Sequence, residues 1–137
     1  MNVLGIDHGD KRMGIAGGDA LGMMGHPLEM ILAKPFEVFL KRLEEILAER
    51  QVEQIVVGMP RNMDGSFGSQ SQKVKEFVVL LEKSVAVPVR TWDERLTSVA
   101  AERALREAGI NARDAKAKVD ASAAAVMLQG YLDSLSL

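Results

Sequence analysis

No cysteine occurs in the 137 residues, so the chain has neither a disulfide framework nor a thiolate available to metal or substrate. No apolar stretch approaches the roughly 20 residues needed to cross a bilayer, and the N-terminus carries no signal-peptide pattern. These absences predict a cytoplasmic protein with no membrane partner. Positive charge is not in excess either. Lys and Arg number 17 against 19 Asp and Glu, a formal net charge of -2 with a pI near 5.7. No overall positive field therefore gathers polyanions, and any such contact must come from local basic groups or bound metal ions. That balance counts against a pure nucleic-acid-binding module, which is usually basic. Internal repeats, low-complexity tracts and linkers are missing. So are a G-x-x-x-x-G-K-[ST] phosphate loop and an H-E-x-x-H zinc motif, and histidine is confined to His8 and His26.

What is present is the composition of an ordinary globular chain, 47% hydrophobic and 26% charged, of a length that suits one domain over residues 1–137. It is organised around its opening residues. An apolar run, Val3 to Ile6, ends in Asp7; Gly9 and Asp10 make a turn, and a second apolar run with interspersed glycine follows. The pattern predicts a β-hairpin with Asp7 at the end of a buried strand. A carboxylate there needs a cation, a donor network or water to offset its charge. The hairpin alone fits equally well an Asp that merely caps the turn through its own backbone.

The segment after the hairpin, Leu21 to Ile31, reads as a loop leading into an edge strand that tolerates Pro27. Pro35 opens a helix with Phe36, Phe39, Leu40, Leu43, Ile46 and Leu47 on one face. Gln54–Gly58 is a short interior strand, followed by a loop from Met59 to Ser69, of a length more often functional than shorter loops are. A second helix buries Val74, Phe77, Val78 and Leu81. Val85–Trp92 reads as another buried strand. A third helix, capped by Thr97 or Ser98, stops at Gly109, and a last one carries Val119, Ser122, Ala123, Val126, Met127 and Gly130 on its stripe. The order β-β-β-α-β-α-β-α-α gives an α/β fold in which an antiparallel meander and two parallel strands share a mixed sheet.

Most acids in the chain, such as Glu44, Glu45 and Glu102, belong to solvated helix faces. Asp7, Glu94 and Asp120 do not, because each is flanked by residues expected to be buried. Asp7 and Glu94 sit at the C-terminal ends of strands, where open sheets bind ligands, and Asp120 borders the stripe of the last helix. Brought together, three carboxylates repel unless a divalent cation compensates them. Mg²⁺ suits such an all-oxygen site, and two ions about 4 Å apart activate a water and stabilise the leaving oxygen of a phosphodiester. Metal-assisted hydrolysis is the expected chemistry. His8 lies beside Asp7, within reach of the same crevice; a solvated or structurally bonded role is the commoner one for such a residue.

Four stretches then resemble one family in its own order: Gly5–Ala16 (GIDHGDKRMGIA), Val57–Ser66 (VGMPRNMDGS), Trp92–Ser98 (WDERLTS) and Val119–Gln129 (VDASAAAVMLQ). They resemble the YqgF/RuvX family of ribonuclease H-like proteins and span nearly the whole chain. Gly17-Gly18 departs from the branched residue and serine that members often carry there. The resemblance implies a five-stranded sheet in the order 3-2-1-4-5 with helices on both faces. It implies that Asp7, Glu94 and Asp120 form a catalytic, metal-binding triad for Mg²⁺ or Mn²⁺. Members are described as Holliday-junction resolvases and, in bacteria, as nucleases maturing the 5′ end of pre-16S rRNA. On that reading Lys11, Arg12, Arg61, Asn62 and Arg95 contact nucleic acid, holding phosphates rather than reading sequence. Trp92, the sole tryptophan, is expected in the core.

The leading expectation is a metal-dependent endonuclease acting on structured RNA, with pre-rRNA and ribosomal particles as partners. A resolvase of branched four-way DNA is the nearest alternative and would need a homodimer where an RNA nuclease can be a monomer. An actin-like ATPase or sugar kinase shares the hairpin but needs a second half for which 137 residues leave no room. A non-catalytic binding or ribosome-assembly module would gain from losing the three acids.

Overall fold

A Val3–Asp7 strand (β1) forms the middle of the sheet, and both its faces are covered, which is why its run is apolar without alternation. The computed structural model of the chain describes residues 2–19, 24–60, 66–93 and 112–135, the backbone alone for 112–122. After β1 come β2 (Arg12–Gly18), β3 (Gly25–Leu32), α1 (Phe36–Glu49), β4 (Gln54–Met59), α2 (Ser69–Ser84), β5 (Val89–Asp93) and α3 (Ala112–Leu135). The five strands lie in the order β3-β2-β1-β4-β5, as the resemblance implies. The meander is antiparallel, and β1, β4 and β5 run parallel. Pro27 is placed on the edge strand β3, opposite Ala16 and beside a bulge at Ile15/Ala16.

Alternation along the strands sorts side chains between two cores. Leu4, Ile6, Ile15, Ile55 and Val57 face α1 and α2, where Phe39, Leu43, Val74, Phe77 and Leu81 meet them. Val3, Ala16 and Val56 face α3, packing against Ala124, Met127, Leu128, Tyr131 and Leu132. Helix α1 follows Pro35 directly and is tied to the edge by Arg42, whose Nη2 and Nε donate to the two Glu29 carboxylate oxygens at 2.6 and 3.0 Å. The apolar face expected of α2 is the buried one. No described helix is long and apolar enough to cross a membrane.

Two expectations need correction. The strand read from Val85 starts only at Val89, because the Val85 N–H closes the last turn of α2 by donating to the Leu81 carbonyl at 3.0 Å. It is also an edge strand: Arg90 and Thr91 are exposed, and Trp92 is half-buried rather than enclosed, its ring edge-on to Tyr131 at 5.7 Å. The stripe of the last helix is rotated as well. Ala124, Met127, Leu128, Tyr131 and Leu132 are buried, whereas Ala123, Val126 and Gly130 flank them half-buried. Alanines on several sides of that helix blur the periodicity. The third helix expected up to Gly109 lies outside the described residues.

Candidate active site at the strand ends

The parallel register brings the C-terminal ends of β1, β4 and β5 to one rim, with Ile6 level with Val57, Gly58 with Trp92 and Met59 with Asp93. Asp7 is the last residue of β1, half-buried. By alternation it shares the α3 face with Val3 and Gly5. Its antiparallel partner is Gly14, and the next residue of β4 at its level is Gly58. The carboxylate is therefore flanked on both neighbouring strands by residues without side chains.

Helix α3 lies close over this half of the sheet because β1 offers it a glycine. A Cβ on Gly5 would fall 3.1 Å from Leu128 Cβ and 3.5 Å from the Ala124 carbonyl oxygen. Further along, Leu132 reaches Gly18, at the opposite end of the strands. The helix thus runs from the Asp7 end of β1 toward its start. Residue 120 belongs to the same helical row as Ala124, one turn nearer the Asp7 end.

The turn that presents Asp7 is held from two sides. The Ala33 N–H donates to the Lys11 carbonyl at 2.8 Å, and Lys73 of α2 sits 3.2 Å from the Asp10 carboxylate. Lys11 and Arg12 are exposed at this turn. Lys73 was not singled out in the sequence. Its signal was its place next to Val74, on the shoulder of the apolar face of α2. His8 is half-buried beside this turn. Its ring packs on Phe77 at 5.1 Å between centroids, and its buried Nδ1 makes no hydrogen bond to the protein. Burial pushes its pKa below the ordinary histidine value, outweighing the opposing pull of Asp10 and Asp7. The imidazole is neutral at pH 7.

Of the other candidate residues, Glu94, Arg61, Asn62 and Arg95 lie outside the described residues, as does the side chain of Asp120. Among the described residues no group of three His, Asp or Glu gathers as a metal site. Asp93, which ends β5, is half-buried and lines a separate, mostly apolar groove of about 530 Å³ with Met59, Phe67 and Val79.

A family model described as "RuvX: Holliday junction resolvase" matches residues 1–134. The chain belongs to the RuvX family. Relatives in that size range agree. A protein of Halothermothrix orenii is 44% identical over 133 residues, covering 97% of this chain and 95% of its own. One from Acetivibrio thermocellus is 48% identical over 136 residues, covering 98% and 96%. Both carry the name "Putative pre-16S rRNA nuclease". Among solved structures, Thermus thermophilus RuvC in complex with a Holliday junction substrate aligns over 99% of this chain and 96% of its own. The TM-score is 0.61 at 18% identity. Fowlpox virus resolvase, with its Holliday junction DNA, aligns over 98% and 99% with a TM-score of 0.54 at 12% identity. At such identities these two speak for the fold, which is the ribonuclease H-like one that the four RuvX motifs imply.

Proposed function

We propose that this RuvX-family chain is a divalent-metal-dependent endonuclease that hydrolyses phosphodiesters in structured RNA, and that its substrate is the 5′ end of pre-16S rRNA, met in the cytoplasm on ribosomal particles. The observation that carries the reading is the setting of Asp7: a carboxylate ending the central strand, between Gly14 and Gly58, under a helix whose row containing residue 120 runs toward it. Asp7, Glu94 and Asp120 are the proposed metal ligands and catalytic residues. An all-carboxylate donor set fits a hard cation, Mg²⁺ or Mn²⁺, which prefers oxygen ligands and keeps several waters. When bound, the metal activates water and stabilises the leaving oxygen. The protein's own part is to fix the carboxylates on rigid elements and to hold the substrate. Lys11, Arg12, Arg61 and Arg95 take backbone phosphates, and Asn62 shapes the Met59–Ser69 loop against the strand.

The relatives' names favour pre-rRNA; the family description favours a second reading, resolution of four-way DNA junctions. Symmetric cleavage of a junction requires two active sites related by a two-fold axis, hence a homodimer, whereas a monomer suffices for rRNA. The deciding experiment offers labelled pre-16S rRNA and a four-way DNA junction side by side. Wild type and Asp7→Asn are compared, with and without Mg²⁺, alongside sedimentation of the free protein. Metal-dependent cleavage of the rRNA that falls by orders of magnitude in Asp7→Asn supports the proposal. Cleavage of the junction alone, by a dimer, replaces it with the second reading. Undiminished cleavage by Asp7→Asn moves the site elsewhere.

A further inference from the structure

On the face of the sheet opposite Asp7, a groove of about 480 Å³ lies between the β1–β2 turn and helices α1 and α2. Its floor is apolar and rich in rings: His8, Phe36 and Phe77, with Met13 below. Leu80 stands at its lip, 44% exposed, above the buried Met13, Ala33 and Phe77. The His8 ring leans on Phe77, and its buried Nδ1 has no protein hydrogen-bond partner. Charged side chains ring the mouth. Lys34 and Lys73 supply two ammonium groups, Asp10 and Glu76 two carboxylates, with Lys73 and Asp10 already paired at 3.2 Å.

That combination specifies an occupant. An apolar floor with aromatic rings, His8 tilted 54° to Phe77, suits a nucleobase laid on one ring face. Two cations balanced by two anions give no net attraction for a polyphosphate or a strongly acidic peptide. One ammonium does suit the single charge of an internal phosphodiester. The carboxylates accept hydrogen bonds and offer none when ionised, so they favour a sugar with a free hydroxyl, which ribose has and deoxyribose lacks at the 2′ position. The groove is also one residue from Asp7 along the chain, reached over the hairpin tip where Lys11 and Arg12 are exposed.

We propose that this groove binds one unstacked nucleoside of an RNA strand adjoining the scissile phosphate, its base on the His8 ring where Phe77 backs it and its 2′-hydroxyl on Asp10 or Glu76. The proposal rests on the nuclease reading and deepens it, since it makes the strand ribonucleic. Lys34 or Lys73 holds the neighbouring phosphate. DNA of the same sequence lacks the 2′ donor and binds less well.

The test is made in chelator, so that binding is read without cleavage. His8 and His26 are the only imidazoles, and His26 lies exposed on the edge strand β3. Histidine-labelled protein is titrated with a five-nucleotide RNA and then with the matching DNA. The RNA should shift the His8 ring signals and leave those of His26 in place, with affinity at least fivefold above the DNA. Leu80→Asp, a change at an exposed site checked by its melting curve, should weaken RNA binding about tenfold. The double variant Asp10→Ala, Glu76→Ala, which removes both acceptors, should bring RNA and DNA within twofold of each other. Unmoved His8 signals, equal affinity for the two sugars in wild type, or full RNA binding by Leu80→Asp each overturn the proposal. These outcomes are separable from the nuclease reading. If Asp7→Asn abolishes cleavage while His8 ignores RNA, the groove is wrong and the nuclease stands. If RNA shifts His8 but no metal supports cleavage, the groove stands as an RNA site and the nuclease falls.

Discussion

Gly5 in the central strand lies directly beneath Leu128 of α3, so close that a methyl group on it would come within 3.1 Å of Leu128 Cβ and 3.4 Å of Met127 Cε. Leu128 Cβ is fixed to the helix backbone, so it can yield only if the whole helix moves. Gly5→Ala should cost about 1–2 kcal/mol of stability, the usual range for overpacking, and Gly5→Val more. Cleavage should suffer more than stability does, because the displaced helix carries Asp120. Urea unfolding and initial rates on one preparation of Gly5→Ala measure both. A variant that is destabilised yet cuts at the wild-type rate would detach helix position from the chemistry.

Gly9 has a different reason to be glycine. A Cβ there would collide with the backbone carbonyl of Arg12 across the turn, and backbone cannot swing aside as a flexible side chain does. Gly9→Ala should therefore lower stability by about 1–3 kcal/mol, the scale of local backbone strain. The thermal midpoint reads this. An unchanged midpoint would mean that the turn has room to relax.

Asp7 should reveal itself as a metal ligand even without substrate. If Glu94 and Asp120 join Asp7 as proposed, Asp7→Asn should melt in chelator at or above the wild-type temperature, since one repelling charge is removed. Added Mg²⁺ should raise the wild-type midpoint by binding the folded state alone, and should leave that of Asp7→Asn almost unmoved. Equal metal-induced shifts in both proteins would exclude Asp7 from the site.

The Glu29–Arg42 pair gives a pH signature remote from the active site. Hydrogen bonds from Arg42, with its nearby charge, hold the Glu29 carboxyl below the ordinary value despite some burial. A carboxyl depressed in the folded state contributes stability that is complete above its unfolded pKa of about 4.5 and is lost as the pH falls below that. Solvent reaches both side chains, so the effect is small. Between pH 5 and 3, on the order of the window in which such carboxyls titrate, Glu29→Gln should lose less stability than wild type. Parallel acid-unfolding curves would refute the assignment.

The features legible in the sequence are those with strong periodicity or unmistakable turn chemistry. The hairpin around Gly9, the α1 face from Phe36 to Leu47 and the α2 face from Val74 to Leu81 all follow from spacing. The edge position of β3 followed from Pro27. Less legible was the Val85–Pro88 segment: β-branched residues there look like a strand, but Val85 serves the end of a helix instead. The α3 stripe was obscured because alanine buries on any side without marking which. Asp7 could be chosen from its place at the end of an apolar run. The environment of His8 could not, since it depends on Phe77, far away in the chain. The glycines beside Asp7 likewise acquire meaning only once the register of three strands is known.

The two cores on either side of the sheet are unequal among the described residues, and α3 closes the lesser one largely through alanine, methionine and leucine. Helix α3 nevertheless lies across β1, β2 and β3 alike. It cannot loosen without loosening the hairpin that presents Asp7, so the two proposed acids that these elements carry keep their places, or lose them, together.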